Sequence, residues 1–209
     1  MLNMLHKIQS ISLKWKLLIP FLLFSFLGTT SLVYMGLSSQ QELIKKEEKN
    51  QLRWFYHLFI DKVTQKGKQA LSMATILAEN PKIQELLAER DGEALMAYTL
   101  PLYRQLKKEF GIRQFHFHIP PGKSFLRVHA PQRLGEMISY RRGVMDALKH
   151  SQGIQGLEWG LTGLGIRGIV PIFAQDTLVG SIEIGFPFGK SFLKALKATW
   201  GPDFTVFER

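Results

Sequence analysis

The apolar positions of this chain fall into two rhythms, one unbroken and helical, one alternating. The unbroken part runs from Leu17 to Leu37, twenty-one residues without a charge. At 1.5 Å per residue it makes about 31 Å of helix, close to the hydrocarbon thickness of a bilayer. Pro20 falls in the first turn, where a missing N–H costs least. A cleaved signal peptide has an apolar stretch of roughly 7–15 residues followed by a small-x-small cleavage site. The run here is longer, and Tyr34-Met35-Gly36 lacks that pattern, so a retained transmembrane helix is predicted. Residues 38–79 are polar, with apolar positions at Leu43, Leu52, Phe55, Leu58, Phe59, Val63, Leu71, Ala74 and Leu77. Many of these spacings are three, four or seven, which predicts one long helix continuing out of the membrane, with Gly67 a weak interruption. Asn80-Pro81 reads as the N-cap and first residue of a short helix carrying Ile83, Leu86 and Leu87. A further helix is predicted from Glu93 to Phe110, bent at Pro101 and stopped by Gly111.

After Gly111 the period changes to two. Gln114 to His118 (QFHFH) alternates strictly and predicts a strand. Pro120-Pro121-Gly122 predicts a turn. Ser124 to His129 predicts a second strand, with Phe125, Arg127 and His129 on one face and Leu126 and Val128 on the other. Ser139 is a candidate cap for a helix reaching His150. Strands are predicted at Gly156–Trp159, Leu164–Phe173 and Leu178–Phe186, with the last two joined by a turn at Asp176-Thr177. Helical spacing resumes from Gly189 to Thr199, and Phe204–Phe207 is a candidate final strand. Helices followed by mostly antiparallel strands indicate an α+β layer fold. The expected divisions are a basic tail (1–16), a transmembrane helix (17–37), a long extracytoplasmic helix (38–79) and an α+β domain (80–209).

Charge sharpens this picture. With 27 basic and 17 acidic residues the chain carries +10, a value that on its own suggests nucleic acid. Its distribution argues otherwise. Residues 1–37 hold Lys7, Lys14 and Lys16 and no acid, which orients the apolar helix with its N-terminus in the cytoplasm. Residues 38–209 are then exported, so no nucleic-acid partner is expected. Residues 38–100 and 151–209 are each balanced, and residues 101–150 hold ten bases against three acids. With no cysteine, disulfides and thiolate sites are excluded.

Candidate chemistry gathers in that central block. Arg127 and His129 share a strand face, Arg141 and Arg142 open the following helix, and Arg167 lies on a later strand. A guanidinium in an apolar setting is costly without an anion, and its planar fork suits a carboxylate. His116, His118 and His129 raise a metal alternative, with Glu158 as a fourth ligand. No phosphate loop, H-E-x-x-H or G-x-S-x-G motif occurs. The glycines from Gly160 to Gly168 are read as bends where backbone passes close to something. Neither a cofactor nor an enzymatic activity is expected.

Three stretches carry a family resemblance: NPKIQELLAERD (80–91), LYRQLKKEFGIRQFHFHIPPGKSFLRVHAPQRLGE (102–136) and GLEWGLTGLGIRGIVPIFAQDTLVGSIEIGF (156–186). They resemble the extracytoplasmic Cache-type, PAS-like sensor region of bacterial methyl-accepting chemotaxis receptors and sensor histidine kinases. The resemblance spans roughly residues 76–208 and implies an antiparallel PAS-like sheet with flanking helices. It also implies dimerisation through the long helix and a small ligand, commonly a carboxylate. Carried over position by position, the implied ligand-binding residues are His118, Arg127, His129, Arg141, Glu158 and Arg167. Near residues 134–137 the family shows an acidic pair, where this chain retains Glu136 alone. Such receptors continue into a second membrane span and an output module, and the expectation is that the output module is absent from this chain. The expectation is a single-pass inner-membrane sensor for chemotaxis or two-component signalling, with residues 38–209 in the periplasm. The competing expectation is an interaction module whose basic block meets an acidic partner or lipid headgroups.

Overall fold

The computed structural model describes residues 12–206, Thr162 excepted. Among them are five helices and five strands: α1 (Leu13–Ala78), α2 (Pro81–Ala88), α3 (Gly92–Phe110), β1 (Gln114–Ile119), β2 (Lys123–Arg127), α4 (Arg142–His150), β3 (Ile154–Gly160), β4 (Gly163–Ala174), β5 (Thr177–Pro187) and α5 (Lys190–Trp200). The chain divides into two compact units at His57/Leu58. In the first unit, the Leu17–Leu37 part of α1 is exposed along its length, including Leu17, Phe21, Phe24, Leu27 and Tyr34. It meets the length and hydropathy of a membrane-crossing helix.

The second unit is built on one antiparallel sheet of order β2-β1-β5-β4-β3. Its two faces differ in chemistry. Phe115 and Phe117 (β1), Leu126 (β2), Ile166, Val170 and Ile172 (β4) and Ile182, Ile184 and Phe186 (β5) form one core with Val63, Ala70, Ala74 and Ala78 of α1 and Ile83, Leu87 and Leu95 of α2 and α3. The side of α1 that is buried here is lined by small residues, Gly67, Ala70, Ala74 and Ala78. They let helix and sheet approach closely. Gly168 of β4 is the sheet's counterpart, since a methyl group there would strike the backbone of Ala70 and Leu71. So the glycine run does hold a point of close backbone approach, and Gly67 is a contact position with Gln155 rather than an interruption.

Local signals set most of the boundaries. Asn80 caps α2, its side chain accepting from the N–H groups of Lys82 and Ile83 with Pro81 at the first position. Gly111 ends α3 in the left-handed conformation, φ 73°. Helix α3 runs through Pro101 without ending. The β4–β5 hairpin turns on Gln175 and Asp176, both at positive φ, one residue earlier than expected. Three expectations fail. Strand β2 ends at Arg127, short of His129, and a register shift against β1 puts Ser124, not Phe125, beside the histidines, while Phe125 packs with the core. Helix α4 begins at Arg142 with Arg141 as its N-cap residue, not at Ser139, because a carboxylate from another strand serves its N-terminus, as described below. Residues 204–206 form no strand: Phe204 stacks on Phe59 instead, while Phe207 lies outside the described residues.

Candidate ligand-binding site

The second face of the sheet is polar and still buried. Cross-strand register assembles it in rows. Arg127 stands opposite His116, His116 opposite Glu183, and Glu183 opposite Ile169. In the next row Gln114 and Arg167 both face Gly185. Gln114, His116, His118, Arg127, Arg167, Ser181 and Glu183 are all at most 8% exposed. Buried polar groups are tolerated only when paired, and here the pairing is nearly complete.

Glu183 is the centre. One carboxylate oxygen accepts from Arg167 Nη1, which also donates to Gln114 Oε1. The other accepts from Arg141 Nη2 at 2.8 Å and lies 3.6 Å from His118 Nε2. Burial alone would raise the Glu183 carboxyl, but the guanidiniums of Arg167 and Arg141 outweigh it and hold it well below the usual carboxylate range. Glu158 is the second carboxylate. It accepts from Arg141 Nε at 2.8 Å and from the Gly143 N–H at 2.7 Å, inside the first turn of α4. Glu158 thereby caps a helix whose own N-cap side chain makes no capping bond. Burial weakens the Arg141 cation, but Glu183 and Glu158 together make it harder to deprotonate than a free arginine. The third pair joins Arg127 to Glu136, whose side chain is 37% exposed. Arg127 Nη1 also donates to the Arg133 carbonyl at 2.6 Å.

The histidines form a chain. His116 Nε2 meets Ser124 Oγ at 2.8 Å, His116 Nδ1 meets His118 Nε2 at 3.0 Å, and His118 Nδ1 meets Ser181 Oγ at 3.0 Å. Each contact needs one donor and one acceptor, so two neutral imidazoles satisfy it in either direction. Burial pushes His118 down to about 3, against the pull of Glu183. Burial and the neighbouring His118 push His116 down as well. His116, His118 and Glu183 also bring three potential metal-ligand atoms within 4.8 Å of one another. So the carboxylate beside the histidine pair is Glu183, not Glu158. A divalent ion there would face the Arg141 and Arg167 guanidiniums that Glu183 already neutralises, which opposes the metal alternative.

A cavity of about 30 Å³ opens over this face. Arg127, His129, Arg141 and Arg167 line it, with His116, Gln114 and Glu183 on its floor and Arg133, Tyr140 and Leu161 at its mouth. That is room for roughly two waters, or one carboxylate group. Arg167 is 2% exposed, and its Nη2 is the one buried side-chain nitrogen without a hydrogen-bond partner among the described residues. Gly160 and Gly165 give its guanidinium space that any Cβ would fill. A second groove, between α4 and β3, shares Tyr140 and Arg167 with the cavity and is lined by Leu157, Trp159 and Ile169.

Of the six residues implied by sequence, the structure places four on the cavity: Arg127, His129, Arg141 and Arg167. His118 stands behind His116, and Glu158 lies in the neighbouring groove, tied to α4. Sequence reasoning missed Gln114, Tyr140 and the central place of Glu183. Glu183 did leave a signal, since it stands between Ile182 and Ile184 as the one charged residue of its strand.

An antiparallel sheet with one face packed on a long helix and the other carrying a small polar cavity is the arrangement of PAS-like sensor domains. The dCache_3 model, described as the double sensory domain of two-component sensor kinase, matches residues 45–209. The chain belongs to that family. Among solved structures it is similar to the sensor domain of E. coli DcuS, with a TM-score of 0.52 and 17% identity over 65% of this chain and 95% of that one. It is also similar to the sensor domain of the V. cholerae histidine kinase DctB, with a TM-score of 0.58 and 14% identity over 78% of this chain and 61% of that one. At these identities the likeness is one of fold. A search of curated proteins gave no match.

Proposed function

We propose that this chain is the membrane-anchored, extracytoplasmic sensor part of a signalling receptor, and that its polar sheet face binds a small carboxylate. The observation that carries this reading is Arg167, one of three buried arginines that line a small polar cavity, whose Nη2 has no hydrogen-bond partner among the described residues. An unpaired cationic donor held in low dielectric is costly until an anion meets it. Arg127, Arg141 and Arg167 are each at most 6% exposed. A membrane surface or an acidic protein cannot reach them, which favours a small molecule over an interaction module. Residues 17–37 would anchor the chain in the inner membrane, with Lys7, Lys14 and Lys16 cytoplasmic and the sensor domain beyond residue 80 periplasmic. Exposed Ile44, Leu52 and Tyr56, spaced by multiples of four on one side of α1, would supply a homodimer face. Ligand binding would signal by favouring one packing of the sheet on residues 63–78 of α1.

The test is thermal unfolding of the full chain in detergent micelles, followed by tryptophan fluorescence, against short carboxylates, Zn²⁺ and Ni²⁺. A carboxylate is expected to raise the midpoint, and Arg167→Gln to abolish the rise. If no carboxylate raises it while a metal ion does, the carboxylate reading is wrong.

A further inference from the structure

We propose that the ligand is amphipathic, with a carboxylate head held in the polar cavity and an uncharged, apolar tail laid in the groove between α4 and β3. The inference rests on the carboxylate reading above and names the class of carboxylate. The two spaces are neighbours, since Arg167 and Tyr140 line both. The cavity, at about 30 Å³, holds a polar head and little else. The groove offers about 390 Å³, within the range of small-molecule sites. A ligand whose head meets Arg167 finds room for the rest of its volume there.

The two spaces differ in charge. Four guanidiniums line the cavity, Arg127, Arg133, Arg141 and Arg167, with one carboxylate, Glu183. Glu136 and Glu158 pair with Arg127 and Arg141 from outside that lining, and Glu183 pairs with Arg141 and Arg167. Arg133, exposed at the mouth, belongs to none of these pairs. Burial keeps the imidazoles of His116 and His129 neutral. Four cations thus face three carboxylates, and one positive charge is left for a ligand. The groove has no such surplus. Its charged residues are Arg142 and Arg167 against Asp146 and Glu158. With the two signs equal in number, the groove gives a second carboxylate no net field to replace its lost hydration.

What the groove does offer is apolar surface and space. Ile154 and Ile169 line it and belong to the small core under α4. Tyr140, 58% exposed, adds an aromatic ring that a tail can cover. Strand β3 leaves the room. It sets Gly156 opposite Arg167, and a Cβ at that glycine would meet nothing within 4 Å. Where β3 could have placed a side chain beside Arg167, it places none. A tail leaving the guanidinium can therefore follow β3 from Gly156 toward Ile154, with Tyr140 at the boundary between head and tail.

The experiment is isothermal titration of the full chain in detergent micelles with acetate, butyrate, hexanoate and adipate, each corrected by titration into micelles without protein. Hexanoate is expected to bind more tightly than acetate by about tenfold or more, with butyrate between them, because each methylene moved from water to an apolar site gives up to about fourfold. Adipate has the length of hexanoate but a second carboxylate, and is expected to fall back to the level of acetate. Asp146→Trp fills the groove from an exposed position on α4 and is expected to abolish the advantage of hexanoate over acetate. Tyr140→Ala is expected to reduce that advantage, and serves if the tryptophan variant does not fold. Equal binding of acetate and hexanoate, adipate as tight as hexanoate, or a hexanoate advantage that the folded variants leave intact would overturn the amphipathic ligand and leave the carboxylate reading standing. If the wild-type chain binds none of the four, both fall.

Discussion

Glu183 shows how a single buried residue can organise a site without being exposed to solvent. It satisfies Arg141 and Arg167 together, and at 1% exposure it leaves water no way to replace it. Removing one partner from such a network leaves charges buried and uncompensated, at a cost of about 3–5 kcal/mol. Glu183→Gln is expected to lower unfolding stability by that order in denaturant titration, and Glu136→Gln by clearly less, because Glu136 is partly solvated. The histidine pair gives a second prediction. His116 and His118 stay neutral when folded, His118 down to about 3, whereas an unfolded histidine protonates near 6.5. The unfolded chain therefore binds more protons below pH 6.5, and stability falls as pH drops from about 6.5 toward 3. Each imidazole kept neutral contributes about 1.4 kcal/mol per pH unit to that slope. Unfolding midpoints measured from pH 8 to pH 4 should be flat at first and then fall, and His118→Gln should flatten the fall by one proton. Sequence exposed part of this. The alternation of QFHFH placed both histidines on one face, but their pairing to each other and to serines on two other strands depends on register, which local sequence does not carry.

At the scale of elements, most boundaries were written locally and most contacts were not. Asn80-Pro81 and Gly111 announce a helix start and a helix stop because capping is chemistry among near neighbours. The start of α4 resisted prediction for the opposite reason: its cap is Glu158, fifteen residues away on β3. Helix α1 is the clearest case. Its leucines suggest a buried apolar face, but in the sensor unit the side against the sheet is Val63, Gly67, Ala70, Ala74 and Ala78, with Leu71 and Leu77 only partly buried. Close approach, not hydrophobicity, selected that side. Gly168→Ala tests this. A methyl there has no room against the Ala70–Leu71 backbone and should cost about 1–3 kcal/mol or more of stability. Gly189→Ala, with open space around its position, should cost far less. Paired denaturant titrations compare the two.

Across the whole molecule, the net charge of +10 proves to be two unrelated quantities. The surplus of residues 101–150 is partly erased by folding, since Glu158 and Glu183 come from outside that block to pair with Arg141. What remains unpaired sits on exposed residues such as Arg104, Lys107, Arg142 and Lys149. Charge along a chain is not charge in space. The N-terminal lysines differ again, because they lie beside an apolar run that can cross a bilayer. Basic residues next to such a helix hold that end in the cytoplasm, so the chain beyond Leu37 should emerge on the far side. Alkaline phosphatase fused after Arg209 should therefore be active and a green fluorescent protein at the same point dark. The chain should stay with the membrane through alkaline carbonate at its full length. The reverse fusion pattern would invert the topology, and a shortened, carbonate-released chain would make residues 17–37 a cleaved signal. Only the expected outcome puts the polar cavity where a solute outside the cell can enter it.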